Sequence, residues 1–191
     1  MTSTLLISVD PDVFGVEMAL AYATADNFTH KPVYRPDAGC FLNPEAADLL
    51  CRAVALARPL GLRLQVLDAF RPAEAQWILW NHWPDPNFIA DPRRGSPHSM
   101  GAAVDVTLLD AVTGMALDMG TPFDDFTPKA HHGNQEISVE AQRNRHLLMG
   151  IMTTAGWDFY RHEWWHYQLF SPRTRYPVLS DSVLGPQRMM P

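Results

Sequence analysis

Sixteen Pro and eleven Gly interrupt this 191-residue chain at short intervals, and that punctuation rules out any fold built on long unbroken helices. They stand between apolar segments instead of clustering, so the chain reads as a compact, turn-rich domain and not as disorder. Asn43-Pro44-Glu45 starts a helix, with Asn as N-cap, Pro at the first helical position and an acid in the first turn. Leu49, Leu50, Ala53, Val54 and Ala57 then recur at helical spacing until Pro59 and Gly61 stop them. Leu62 to Asp68 alternates as a half-buried strand, and Arg71-Pro72 leads into a second helix through Ala73 to Trp77. Arg71 therefore sits where a strand gives way to a helix. Positions 84–97 hold four Pro and one Gly and read as a long loop, a feature that usually serves a site.

Ala103 to Leu108 reads as a further strand, with a turn at Thr113-Gly114 after it. Ser138 caps a third helix that carries Leu147, Leu148, Ile151 and Met152 and ends at Gly156. Beyond it, Trp157, Phe159, Tyr160, Trp164, Trp165, Tyr167 and Phe170 favour strands until Ser171-Pro172. Helices and strands in mixed order predict an α+β fold, a central antiparallel sheet flanked by helices, with residues 1–191 as a single domain.

Composition excludes several classes of partner. No apolar run approaches the roughly 18 residues that a membrane span requires, so no membrane partner is expected. A formal net charge of -6, with Arg93-Arg94 the only basic pair, argues against nucleic acid. Cys40 and Cys51 form no C-x-x-C pair and are expected as reduced thiols, with a single bridge left open. Met1 to Asp10 lacks a basic start and a signal-type apolar run, which predicts a cytoplasmic protein. The aromatic content allows a homodimer patch.

Residues 161–168, Arg-His-Glu-Trp-Trp-His-Tyr-Gln, contain a literal H-E-x-x-H. On a helix this motif puts two zinc-binding His on one face, but a segment crowded with aromatics between Gly156 and Pro172 is a poor helix. In an extended chain His162 and His166 would stand about 13 Å apart, too far for one tetrahedral ion. One of them is a bystander. Upstream, His98 lies in a loop and Asp105 on a strand, with Gly101 supplying the bend that could bring them together. His98, Asp105 and His166 make two N ligands and one carboxylate O, and leave a fourth position open, the usual layout of a catalytic zinc. His131-His132 are adjacent, would not point the same way, and read as loop residues.

The spacing Ser96, His98, Gly101, Ala103, Asp105, followed by Glu163 and His166, resembles the zinc D-alanyl-D-alanine dipeptidases. These are the vancomycin-resistance D,D-dipeptidases and their relatives, within the wider D-Ala-D-Ala carboxypeptidase and Hedgehog-like group. The similarity extends to Tyr22–Thr29, Asp68-Ala69-Phe70-Arg71-Pro72, Met119–Asp124 and Glu163–Tyr167, and so covers nearly the whole chain. It implies one zinc per chain on His98, Asp105 and His166, and His162 as no ligand. It further implies Glu163 as general base and then acid, Arg71 as the cation that steadies the oxyanion, and Tyr22, Asp124 and Ser96 around the ends of a small D,D-dipeptide. Asp125 beside Asp124 leaves a one-residue ambiguity, and Tyr22 and Ser96 are nearly as well explained as a core aromatic and a turn residue. Relatives often carry Arg at the position of Met100 and a polar residue at that of Pro97, which bears on specificity or metal affinity. The implied reaction is hydrolysis of D-alanyl-D-alanine. Its rivals are a D,D- or L,D-carboxypeptidase acting on muropeptides and a catalytically silent, zinc-stabilised binding module.

Overall fold

The computed structural model describes residues 5–191. The expectation drawn from Met1 to Asp10 therefore falls partly on residues 1–4, outside the described residues. In chain order the elements are β1 (Ile7–Ser8), α1 (Pro11–Phe14), β2 (Glu17–Met18), β3 (Phe41–Leu42), α2 (Pro44–Ala57), β4 (Leu62–Asp68), α3 (Ala73–His82), β5 (Ala103–Asp110), α4 (Val139–Ala155), β6 (Asp158–Phe159), β7 (His166–Gln168) and α5 (Pro172–Arg175), joined by several 3-10 turns. The architecture is α+β. Five strands form the main sheet in the order β2-β4-β5-β7-β6, and β1 pairs with β3 in a small ribbon.

The main sheet is antiparallel as expected except at one edge, which makes it mixed. β4–β5, β5–β7 and β6–β7 are antiparallel, but β2 runs parallel to β4. Between those two strands the chain passes through α2, and a helical crossover is the connection that lets neighbours run the same way. A two-residue edge strand such as β2 leaves too little alternation in the sequence to announce itself.

Caps fix where the helices begin and end. The Asn43 side chain accepts from the Glu45 N–H ahead of α2, and Ser138 Oγ accepts from the Ala141 N–H at 3.0 Å ahead of α4. Gly156 closes α4 at a left-handed φ of 113°, its N–H reaching the Met152 and Thr153 carbonyls. α2 and α4 pack on each other and on one face of the sheet. Leu50, Ala53, Leu148 and Met152 join Leu64, Val66, Val104 and Val106 there in one apolar cluster, all of them buried. Each large aliphatic side chain in such a layer contributes about 1.5–3 kcal/mol of burial. A second cluster, including Tyr22, Tyr34, Phe70, Leu79 and Ile89, lies beneath α3 and the chain ends.

The aromatic run, expected to favour strands over helices, forms two short ones. Only β6 and β7 are strands, with a turn between them, because Trp157, Trp164, Trp165 and Tyr167 are all driven into the core and a straight strand cannot aim them there together. Cys40 is buried, Cys51 is exposed, and both are free thiols. Among the described residues no helix is long and apolar enough to cross a membrane.

Candidate active site

With the helices on one face, the other face of the sheet carries a polar row. Asp105 on β5 pairs with His166 on β7 and with Asp68 on β4, and cross-strand partners project to the same side. The row owes Asp68 to an irregularity, since the β4–β5 register passes from Val66↔Val106 to Asp68↔Asp105. That bulge skips Leu67 and brings an acid to a place where an apolar side chain would otherwise stand.

His98 reaches the row from outside the sheet. It opens a 3-10 turn, His98–Met100, that Gly101 ends at φ 63°, with the Gly101 N–H on the His98 carbonyl at 2.9 Å. Glycine tolerates this left-handed backbone. A Cβ there would also run into Leu6 and the backbone of Asn43. The bend expected from the sequence is therefore present, and it is tightly walled.

The result is a convergence of three buried atoms. His98 Nε2 lies 3.0 Å from His166 Nδ1 and 3.3 Å from Asp105 Oδ1, and His166 Nδ1 lies 3.1 Å from Asp105 Oδ1. A tetrahedral ion with bonds near 2.0–2.1 Å separates its ligand atoms by roughly 3.3 Å. The protons point to a cation as well. His98 Nδ1 is 2.7 Å from the Ala69 carbonyl, which can only accept, so that nitrogen carries the hydrogen and Nε2 is bare. His166 Nε2 is 3.2 Å from Gln168 Oε1, which leaves Nδ1 bare in the same way. Burial lowers the His166 pKa against the pull of Asp105 and favours the neutral ring. For Asp105, burial works upward, but His98 and His166 outweigh it and hold the carboxyl well below the usual range. Three lone-pair donors thus face one point, and a metal ion fits what they lack. Two imidazoles and one carboxylate suit zinc among the common divalent ions.

Glu163 comes from the turn ahead of β7. Its N–H reaches the Tyr160 carbonyl at 3.3 Å, and its Oε2 stands 3.9 Å from His166 Nδ1. Burial pushes the Glu163 carboxyl well above the usual range, Asp105 and Asp124 add to this, and Arg71 opposes it. Such a carboxylate holds a proton avidly when offered one. Arg71 is buried and pinned, donating from Nε to Asp68 Oδ2 at 2.8 Å and from Nη1 to Gln76 Oε1 at 3.0 Å. Its Nη2 faces Asp105 Oδ2 at 3.6 Å, and its Cζ lies 5.0 Å from the centre of the Tyr22 ring. Behind it, the Tyr34 hydroxyl donates to Asp68 Oδ1 at 2.9 Å, and Gln76 Nε2 donates to the Ala90 carbonyl at 2.7 Å.

Tyr22 is buried, and its hydroxyl donates to Asp124 Oδ2 at 3.0 Å. Asp124 adopts a left-handed φ of 59°, uncommon for a residue with a side chain. Burial pushes its carboxyl up to about 8, with Arg71 pulling against that and Asp105 adding to it. Asp125 instead accepts from the Thr127 N–H at 3.0 Å, so of the two acids only Asp124 turns to the site. Ser96 is buried, and its Oγ accepts from the His98 N–H at 3.3 Å. All eight residues singled out from the sequence, Tyr22, Arg71, Ser96, His98, Asp105, Asp124, Glu163 and His166, line one cavity of about 330 Å³. That is the small end of the range for small-molecule pockets. The 84–97 loop supplies part of its wall, including Asn87, Phe88 and Asp91.

His162 lies outside the three-atom cluster, its ring stacked on that of His131 at 4.5 Å. His131 and His132 sit in a loop, as expected. Asp68, Gln76 and Gln168 received no role from the sequence. Gln168 left a usable signal, because residues two apart on a strand share a face with His166. Gln76 left none.

A sequence profile for a family described as D-ala-D-ala dipeptidase matches residues 2–178. The chain is 41% identical over 176 residues to a D-alanyl-D-alanine dipeptidase of Escherichia coli K12, covering 92% of this chain and 88% of that one. Dipeptidases of the same name from Enterococcus faecium and Streptomyces coelicolor are each 34% identical over 180 residues, covering 84% of this chain and 89% of theirs. A solved LD-carboxypeptidase, LdcB, superposes at a TM-score of 0.45 with 18% identity, over 77% of this chain and 64% of the other, too distant to bear on the chemistry.

Proposed function

Since the chain belongs to the D-ala-D-ala dipeptidase family and is a metallopeptidase, we propose that it hydrolyses free D-alanyl-D-alanine to two molecules of D-alanine, with one zinc ion per chain on His98, Asp105 and His166. The observation that carries this reading is the convergence of three bare, buried ligand atoms beside a buried carboxylate and a pinned guanidinium. Zinc bound there would supply a Lewis acid that polarises the scissile carbonyl and acidifies water.

The chain's own residues do the remaining work. Glu163 takes a proton from the attacking water and later delivers it to the leaving amine, a double duty that its dry position and raised proton affinity suit. Arg71 stabilises the negative charge that grows on the carbonyl oxygen. It needs no reorganisation to do so, because Asp68 and Gln76 already hold it in place. Asp124 and the Tyr22 hydroxyl receive the substrate ammonium, and Ser96 lies toward the carboxylate end. A cavity of about 330 Å³ suits a dipeptide better than a cross-linked wall peptide. With net charge -6 and no spanning helix among the described residues, neither nucleic acid nor membrane is a proposed partner, and the cytoplasm is the proposed compartment.

The test is release of D-alanine from D-alanyl-D-alanine, with L-alanyl-L-alanine and an acylated tripeptide ending in D-alanyl-D-alanine alongside. Cleavage of the free D,D-dipeptide that stops on chelation and returns with zinc is expected. Preference for the acylated tripeptide would make the protein a carboxypeptidase. A zinc-loaded protein that cleaves none of them would be a binding module.

A further inference from the structure

The arginines of the 84–97 loop and of α5 differ in their partners. Arg93 is committed to Asp91, with Nη2 to Oδ2 at 2.7 Å, and Arg175 is committed to Glu45. Arg94 and Arg173 line the cavity instead. Among the described residues neither has a carboxylate within ion-pair distance. Arg173 reaches the rim because Ser171 turns the chain at a left-handed φ of 50° into α5. Its Nε then donates to the Gly95 carbonyl at 2.9 Å, which ties it to the residue next to Arg94 and leaves both of its terminal nitrogens free. Burial and then the charge of Arg94 depress the Arg173 pKa, as expected where two like charges share a space with no counter-ion.

The rest of the cavity has the opposite sign. Asp105, Asp124 and Glu163 are all on its wall. In a chain of net charge -6, an unpaired guanidinium pair facing a carboxylate-rich wall makes a dipolar pocket. We propose that Arg94 and Arg173 together bind the C-terminal carboxylate of the substrate. This rests on the dipeptidase reading and extends it, assigning the rim as the element that restricts the enzyme to peptides with a free acid close to the scissile bond. A guanidinium fork matches a carboxylate in shape as well as charge. Ser96, two residues from Arg94 and on the same cavity wall, puts a hydroxyl donor on the same side.

The test compares D-alanyl-D-alanine with its C-terminal amide, in the zinc-loaded enzyme and in Arg94→Gln, Arg173→Gln and the double variant. The unsubstituted enzyme should prefer the acid. Each single variant should raise KM for the acid on the order of tenfold, with kcat nearly kept and the amide hardly affected, so that the double variant loses the preference. Unchanged preference in the double variant, or equal loss on both substrates, overturns the proposal. If the unsubstituted enzyme cleaves neither compound, the dipeptidase reading fails, and the pair is judged separately by titrating 15N-labelled zinc-loaded protein with acetate. Saturable shifts of the Arg94 Nε–H signal that weaken in Arg173→Gln, and of the Arg173 signal that weaken in Arg94→Gln, would support a carboxylate site. Their absence would overturn it.

Discussion

His98, Asp105 and His166 were legible as a set because they stand together in the pattern of the dipeptidase family, where any one alone would read as an ordinary core or loop residue, and their atoms do converge within 3.0 to 3.3 Å. What the spacing did not reveal is how the His98 ring is held, since the Ala69 carbonyl that receives it is brought close only by the fold, whereas Gln168 stands two residues from His166 on the same strand. The proposed roles separate cleanly by substitution. Asp105→Asn removes the negative ligand and should cost the protein its zinc, measured as metal retained after gel filtration, together with its activity. Glu163→Gln should keep one zinc per chain and lose turnover by about 10²–10⁴-fold. A Glu163→Gln enzyme that turns over normally would take Glu163 out of the mechanism, and an Asp105→Asn protein that holds zinc as before would take Asp105 out of the ligand set.

At the scale of elements, the capped helices and the two long strands follow from signals a few residues wide, and α2, α4, β4 and β5 lie where those signals put them. The parts that were illegible depend on distant partners. The parallel β2 strand is two residues long, and the bulge that delivers Asp68 exists only in the register between β4 and β5. Gly101 is the element-level joint of the site, with φ 63° and a Cβ position blocked by Leu6 and the Asn43 backbone. Gly101→Ala should therefore destabilise the protein by about 1–3 kcal/mol, measured by urea unfolding. It should also weaken zinc binding, because the turn it caps carries His98. A variant as stable as the parent, with zinc affinity intact, would show that the turn relaxes freely.

Across the whole molecule, one face of the sheet is sealed by α2 and α4 and the other is left for chemistry. The apolar core lies on the face of the sheet away from the proposed metal ligands. Chelated protein is accordingly expected to keep its far-UV circular dichroism and its cooperative melt, with Tm lowered by an amount that grows with the zinc concentration used for reloading. Loss of the cooperative melt on chelation would mean that the ion, and not the core, holds the two faces together. The α+β class and the sealed face were readable from apolar periodicity, whereas the concave face was not, because a pocket is made of gaps that no single segment encodes.

The row Asp68–Asp105–His166 is written into strand pairing, while the cavity wall opposite is written largely into the loop over 84–97 and the short α5. A substitution in the first set removes a side chain from the reactive row itself, while one at the rim acts first on what the cavity admits. The diet of such an enzyme can therefore be changed at the rim while its reactive core stays fixed.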